Sequence, residues 1–303
     1  MSNSLDVAAF SANDPVQLAQ QATDELLAAV TDQITLDTFD PNDQALLQRL
    51  VDCLGDLRGL VRLRCAETLG EIGEPATPFL IKALAHHENA VVRRAAAKTL
   101  TLIADPTSIP TLVHALFNDE DTVVKGSAIG ALARIGEASV PILLDILASP
   151  DRSESMKGHA AWALAFIGAE AKDYLYREIG SDSAEVRYAV VGAIAKVVQD
   201  DPNEDRAFEL LVQALSDPAA MVRCEAASAL GNLAYQPAIP HFLMLLSHPD
   251  WESRKAAALA LMKAGDRSAI VPLQSALDQE LETAVQSVLK LAISQLERRS
   301  NEA

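Results

Sequence analysis

Aromatic side chains make up only 4% of the 303 residues, and no stretch of any length alternates apolar with polar residues as a half-buried strand would. Half of the residues are nonetheless hydrophobic, which suits closely packed Ala- and Leu-rich helices better than a sheet core. Cysteine is also scarce. Cys53, Cys65 and Cys224 are odd in number, lack CxxC spacing and sit within helical patterns, which argues against a disulfide framework or a zinc site, so they are expected to be reduced. No segment reaches the roughly 18 apolar residues of a membrane span. The N-terminus lacks the basic and apolar regions of a signal peptide, so a cytoplasmic chain without membrane insertion is expected.

Positive charge is short as well. With 25 Lys and Arg against 42 Asp and Glu, the formal charge is −17, and polyanionic partners such as nucleic acid or anionic lipid are disfavoured. The acidity keeps an elongated molecule soluble and suits a partner with basic patches. Catalytic signatures are missing too: there is no GxSxG, HExxH or Gly-rich phosphate loop, and no Cys–His pairing of recognisable spacing. His86 and His87 are adjacent and point to different sides of a helix, while His114, His241 and His248 are scattered. Any chemistry must come from a surface assembled across repeating units.

Repeats are what the chain has in abundance. A basic residue recurs at Arg62, Arg93, Lys125, Lys157, Arg187, Arg223 and Arg254, mostly about 31 residues apart. Seven residues after each stands Leu69, Leu100, Leu132, Leu164, Ile194, Leu230 or Leu261, and ten after stands Ile72, Ile103, Ile135, Ile167, Val197, Leu233 or Ala264. Offsets three and four are mostly Ala, Val or Cys. Apolar residues at 3, 4, 7 and 10 form one stripe of an α-helix, and a period of this length means a stacked helical array. The second helix of each unit is marked by a Pro in its first turn (Pro78, Pro110, Pro141, Pro240, Pro272) and an apolar run behind it.

The segments VRLRCAETLGEIG at 61–73, VKGSAIGALARIG at 124–136 and VRCEAASALGNLA at 222–234 resemble the short form of the HEAT repeat. The resemblance implies an all-α, right-handed α-solenoid, with seven repeats and a decayed eighth in which Gln286 replaces the basic residue, over 57–303. It further implies that the VR helix lines the concave surface and that an Asp six residues before the Arg, such as Asp217 before Arg223, joins a ladder of Asp and Arg side chains. Residues 1–56 read as a helical cap whose first 14 or so residues are loose, with Asp40 capping and Pro41 opening its second helix. The spacing stretches to 36 residues between Arg187 and Arg223, and the excess, DDPNED at 200–205, reads as a longer surface turn.

The VR-helix positions outside the apolar stripe suggest a binding groove. Gly126, Gly130, Gly158 and Gly192 occupy the columns around Trp162 and Tyr188, although glycine inside a helix costs about 1 kcal/mol relative to alanine. Phe166, Arg134 and Lys196 share the ninth position of their units, and His159 follows Lys157 by two. Small residues beside aromatics, with basic groups nearby, fit something flat and anionic. The plainer alternative is that Trp162 and Phe166 pack between helices and the glycines relieve crowding. Cys224, beside Glu225, reads as a small buried filler at the edge of the same groove.

The helix KGHAAWALAFIG at 157–168, with the acidic short-repeat array around it, is similar to the phycobilin lyases of the E/F type. That resemblance implies attachment of a linear tetrapyrrole, as substrate and not as a permanently bound cofactor, to a cysteine of a phycobiliprotein subunit, with a second HEAT-like subunit as a further partner. On this view the lyase needs no nucleophile of its own, and Glu225 and His159 are the candidate polar catalytic groups. The NHCQGN motif of lyases that also isomerise the bilin is absent, so simple ligation is the open activity. The alternatives are a chaperone or degradation factor for phycobiliproteins and an unrelated HEAT scaffold. No metal site is expected.

Overall fold

The computed structural model describes residues 14–301, and among them every regular element is helical. The stretch expected to be loose lies outside the described residues apart from Asp14, which caps the first helix by accepting the Val16 N–H at 3.1 Å. The described residues fall into two compact units that meet between Ile135 and Gly136.

The first unit contains α1 (Pro15–Thr35), α2 (Gln44–Asp52), α3 (Gly59–Ile72), α4 (Thr77–His86), α5 (Ala90–Ile103), α6 (Ile109–Asn118) and α7 (Thr122–Ile135). The VR helices α3, α5 and α7 stack side by side, each packed against the helix before or after it, while α1 lies on α3 and α2 on α4. The cap of α2 differs from expectation. Asp40 accepts the Asn42 N–H at 2.9 Å and so closes a turn that keeps Pro41 outside the helix. The carboxylate that caps α2 belongs to Asp43, which takes the Leu46 N–H at 2.9 Å.

The second unit contains α8 (Val140–Ala148), α9 (Glu154–Ile167), α10 (Lys172–Glu178), α11 (Ala184–Asp200), α12 (Asp205–Ala214), α13 (Ala220–Asn232), α14 (Ile239–Leu245), α15 (Trp251–Ala264), α16 (Ile270–Gln279) and α17 (Thr283–Asn301). Here α9, α11, α13, α15 and α17 stack in that order. The stripe read from the sequence is the core: Leu69, Leu100, Leu132, Leu164, Ile194, Leu230 and Leu261 are all fully buried. Fully burying one such side chain contributes about 1.5–3 kcal/mol.

The eleventh position after the basic residue decides where each VR helix stops. Gly73, Ala104, Gly136, Gly168, Ala234 and Gly265 stand there, and all six adopt a positive φ between 49° and 79°. In the repeat of Arg187 that position is Val198, whose β-branched side chain resists a left-handed backbone. The helix therefore continues: α11 has 17 residues where α9 has 14, and Val198 is buried. The excess spacing, expected as turn alone, thus goes partly into helix, and only 201–204 remain as the connection to α12.

The basic residues themselves lace successive turns together. Arg62, Arg93, Arg187, Arg223 and Arg254 each donate from Nη1 to the backbone carbonyl six residues earlier, at 2.6–3.0 Å. Gln286, standing where the eighth basic residue would be, makes the same bond to the Glu280 carbonyl at 2.7 Å. The remaining guanidinium arms reach forward one repeat, from Arg93 to Asp119, from Arg187 to Asp217 and from Arg254 to Glu280. Lysine cannot fork, so Lys157 reaches only Glu185, at 3.4 Å.

Candidate functional site

In the second unit the exposed face of the VR helices carries a groove of about 460 Å³ lined by Tyr188 from α11, Met221, Cys224, Glu225 and Ser228 from α13, and Trp251, Glu252, Lys255, Leu259 and Lys263 from α15. Each of these residues lies off its helix's buried stripe, so stacking the stripes turns them outward together. Of the sequence-selected residues, the groove gathers Tyr188, Cys224 and Glu225. Gly192 stands directly behind, where a Cβ would sit 3.5 Å from Glu225 Oε1, an ordinary contact distance, so the carboxylate lies against α11.

Burial pushes the Glu225 carboxyl upward, with a hydrogen bond from the Tyr188 hydroxyl opposing it. The Glu225 charge in turn raises the Tyr188 phenol, and burial adds to that. Each group therefore keeps its proton to a higher pH than it would in water. Cys224 is half-buried rather than a buried filler, and desolvation together with Asp250 and Glu252 raises its thiol, which leaves it a poor nucleophile. Lys255 lies over the Trp251 ring with Nζ 5.8 Å from the centroid, and Lys263 donates to Asn232 at 2.7 Å. Trp251, Lys255 and Lys263 were missed in the sequence. Lys255 stands in the same column as Tyr188 and Cys224, two repeats on from Tyr188, so giving that column its weight to the end would have found it.

Trp162 and Phe166 are 52% and 55% exposed, so they do not fill space between helices. They sit one turn apart on α9 with ring centroids 5.6 Å apart and planes tilted by 34°. Beside them Gly158 is exposed and a Cβ there would meet nothing within 4 Å. His159 is exposed on the same helix. Lys196 is held by Asp200 at 2.8 Å on its own helix, so its charge is locally compensated. In the first unit, Cβ atoms on Gly126 and Gly130 would likewise meet nothing within 4 Å, and Arg134 is exposed in the last turn of α7. None of these three glycines relieves crowding; they leave the helix faces open. Among the described residues no cluster of His, Cys, Asp or Glu is arranged to hold a metal, and no helix is long and apolar enough to cross a membrane.

Residues 77–164 and 208–294, more than half of the chain, match HEAT repeats, and residues 61–86 match the PBS lyase HEAT-like repeat. The chain is also 37% identical over 280 residues to the bilin biosynthesis protein MpeU of Synechococcus sp. (strain WH8020), covering 92% of its own length and 94% of that relative. It belongs to the HEAT-repeat family that includes this bilin biosynthesis protein. Among solved structures, Kap121p bound to Ste12p superposes with a TM-score of 0.51 at 14% identity, over 83% of this chain and 37% of that one. That likeness speaks for the solenoid fold alone. The complex of CpcE and CpcF of phycocyanin lyase from Nostoc sp. PCC7120 gives 0.34 at 19% identity over 82% and 94% of the two chains, too loose a superposition to argue from.

Proposed function

We propose that this chain is a phycobilin lyase of the E/F type, which holds a linear tetrapyrrole in the groove of its second unit while a cysteine of a phycobiliprotein subunit adds to it. The observation that carries this reading is the 37% identity to a bilin biosynthesis protein over nearly the whole of both chains. The groove's chemistry supports it. Its volume falls within the roughly 300–1,000 Å³ of small-molecule sites, Tyr188 and Trp251 offer flat walls, and Lys255 and Lys263 offer cations to the two propionates.

The reaction is an addition in which the acceptor thiolate forms a carbon–sulfur bond at the bilin's activated double bond. The displaced electron pair moves to the neighbouring ring carbon, which takes up a proton, so the sum is one thiol added across one double bond with no oxidant consumed. The groove's part is to hold the double bond near the thiolate and to supply the proton from the Glu225–Tyr188 pair. His159 on α9 is a second candidate donor. A second HEAT-like subunit would complete the assembly, and the first unit's VR face would receive protein.

The test mixes the purified chain with a free bilin, then adds an apo-phycobiliprotein subunit with and without a second HEAT-like subunit. A red-shifted or sharpened visible band, followed by colour that stays with the acceptor in denaturing gels, is the expected result. An unchanged bilin spectrum would overturn the reading. Bilin binding with no transfer under any combination would convert it to a carrier or chaperone role.

A further inference from the structure

The first unit carries a second groove, of about 470 Å³, on the exposed face of α3, α5 and α7, lined by Gly59, Arg62, Leu63, Ala66, Val91, Arg94, Ala95, Lys98, Leu102 and Val123. Its charge sets it apart. In a chain of net charge −17, every ionisable side chain in this lining is basic. Arg62 spends one arm on the Asp56 carbonyl at 2.6 Å, and Arg94 is paired with Asp121, which also caps α7. The apolar part is equally unusual. Leu60, Val91 and Val123 occupy the position two before the basic residue in three successive repeats. Leu60 is 79% and Val123 46% exposed, Leu63 is exposed one turn after Leu60, and Leu102 is exposed near the other end of α5.

From this placement we infer that the face of α3, α5 and α7 is a docking surface for an acidic amphipathic helix of a partner polypeptide. Packed helices are spaced by about 8–10 Å, so the Leu60–Val91–Val123 row offers one apolar contact at each such interval. Seven residues of a helix rise about 10.5 Å. A partner helix laid across the three VR helices therefore meets the row with apolar residues at i, i+7 and i+14, the anchoring used when an amphipathic helix enters a groove. Carboxylates flanking that stripe meet Arg62 and Lys98, which supplies orientation and salt-dependent steering. The inference concerns the first unit only and stands whether or not the groove of the second unit takes a bilin.

The experiment uses the full chain and a labelled helical peptide of about 18 residues, long enough for the three contacts, with Leu along one stripe and Glu beside it. Two controls carry Lys in place of Glu, or the same composition in scrambled order. Fluorescence anisotropy should show saturable binding of the acidic amphipathic peptide that weakens as salt rises and little binding of either control. Val91→Asp and Lys98→Glu should each weaken it about tenfold or more. Both replace side chains outside the buried stripe, and a helical circular dichroism spectrum with an unchanged melting temperature would verify the fold. Equal binding of the Lys peptide, or acidic-peptide binding that survives both folded variants, would overturn the inference. So would displacement of the peptide by free bilin at stoichiometric concentration, which would mark the groove as a small-molecule site.

Discussion

Arg187 grips Asp217 with two parallel hydrogen bonds, Nε to Oδ2 at 2.7 Å and Nη2 to Oδ1 at 2.8 Å, across 30 residues of sequence. The other arm of Arg187 holds the Ser181 carbonyl, while the Asp217 carboxylate also takes the Ala219 N–H and the Asp217 carbonyl receives Arg223. One pair thus fixes two successive turns. Removing one member strands the other, since the side chains are only 12% and 10% exposed. Asp217→Ala should lower stability by about 3 kcal/mol. Arg187→Lys should recover little of what Arg187→Ala loses, because an ammonium cannot make the bidentate contact. Urea titrations of the three variants measure both, and a fully stable Arg187→Lys would contradict the geometric argument.

The same ladder predicts an acid limb. Arg254 beside Glu280 holds its carboxyl down, from an ordinary 4.5 to about 2, and Arg93 likewise lowers Asp119. A carboxyl depressed in the folded state binds fewer protons there than in the unfolded chain. Its stabilisation is therefore complete above about pH 4.5 and is lost as pH falls towards 2. Glu280→Gln should be less stable than the parent at pH 7 and should close most of that gap by pH 2.5. Denaturant midpoints taken through this window would refute the point if the gap stayed constant.

How much of this was legible in the chain depended on whether a single column carried the information. The stripe and the basic residue recur at fixed offsets; the five arginines and Gln286 all bind the carbonyl six residues earlier, while Lys125 and Lys157 reach the Phe117 carbonyl and Glu185 instead. Asp40 and Asp43 differ by three residues and both can cap a helix, so only the turn closed on Asn42 tells them apart. The long α11 follows from Val198 in a column of Gly and Ala, a signal present in the sequence but hidden behind the acidic run that follows. The groove is harder still. Trp251 stands three residues before its basic residue and Tyr188 one after its own, and their meeting depends on how α11, α13 and α15 stack, which no column states.

The glycines of the VR helices divide into two kinds with opposite expectations. A Cβ on Gly158 meets nothing within 4 Å, whereas one on Gly231 would sit 2.8 Å from Ala260 Cα. Gly158→Ala should stabilise the protein by up to about 1 kcal/mol through helix propensity. Gly231→Ala should destabilise it by about 1–3 kcal/mol by forcing α13 from α15. Melting temperatures moving in opposite directions are the expected result; a common direction would mean that the α13–α15 contact yields more freely than its close backbone approach implies.

Two tryptophans separate the possible locations of bilin binding. Trp251 lines the groove with Glu225 and Lys255, whereas Trp162 lies against Phe166 on α9 with its ring tilted from the phenyl plane. If the groove holds the tetrapyrrole, Trp251→Ala should weaken bilin affinity about tenfold or more, since stacking an aromatic on a planar ligand contributes about 1 kcal/mol or more beyond its buried area. Trp162→Ala should then act on affinity only weakly. Glu225→Gln refines the assignment, because the amide keeps the shape and still accepts the Tyr188 hydroxyl but cannot deliver a proton. Transfer to the acceptor should slow while the bilin spectrum and affinity stay near those of the parent. Should Trp162→Ala be the variant that loses the bilin, the tetrapyrrole lies along α9, and His159 becomes the proton donor to test in place of Glu225.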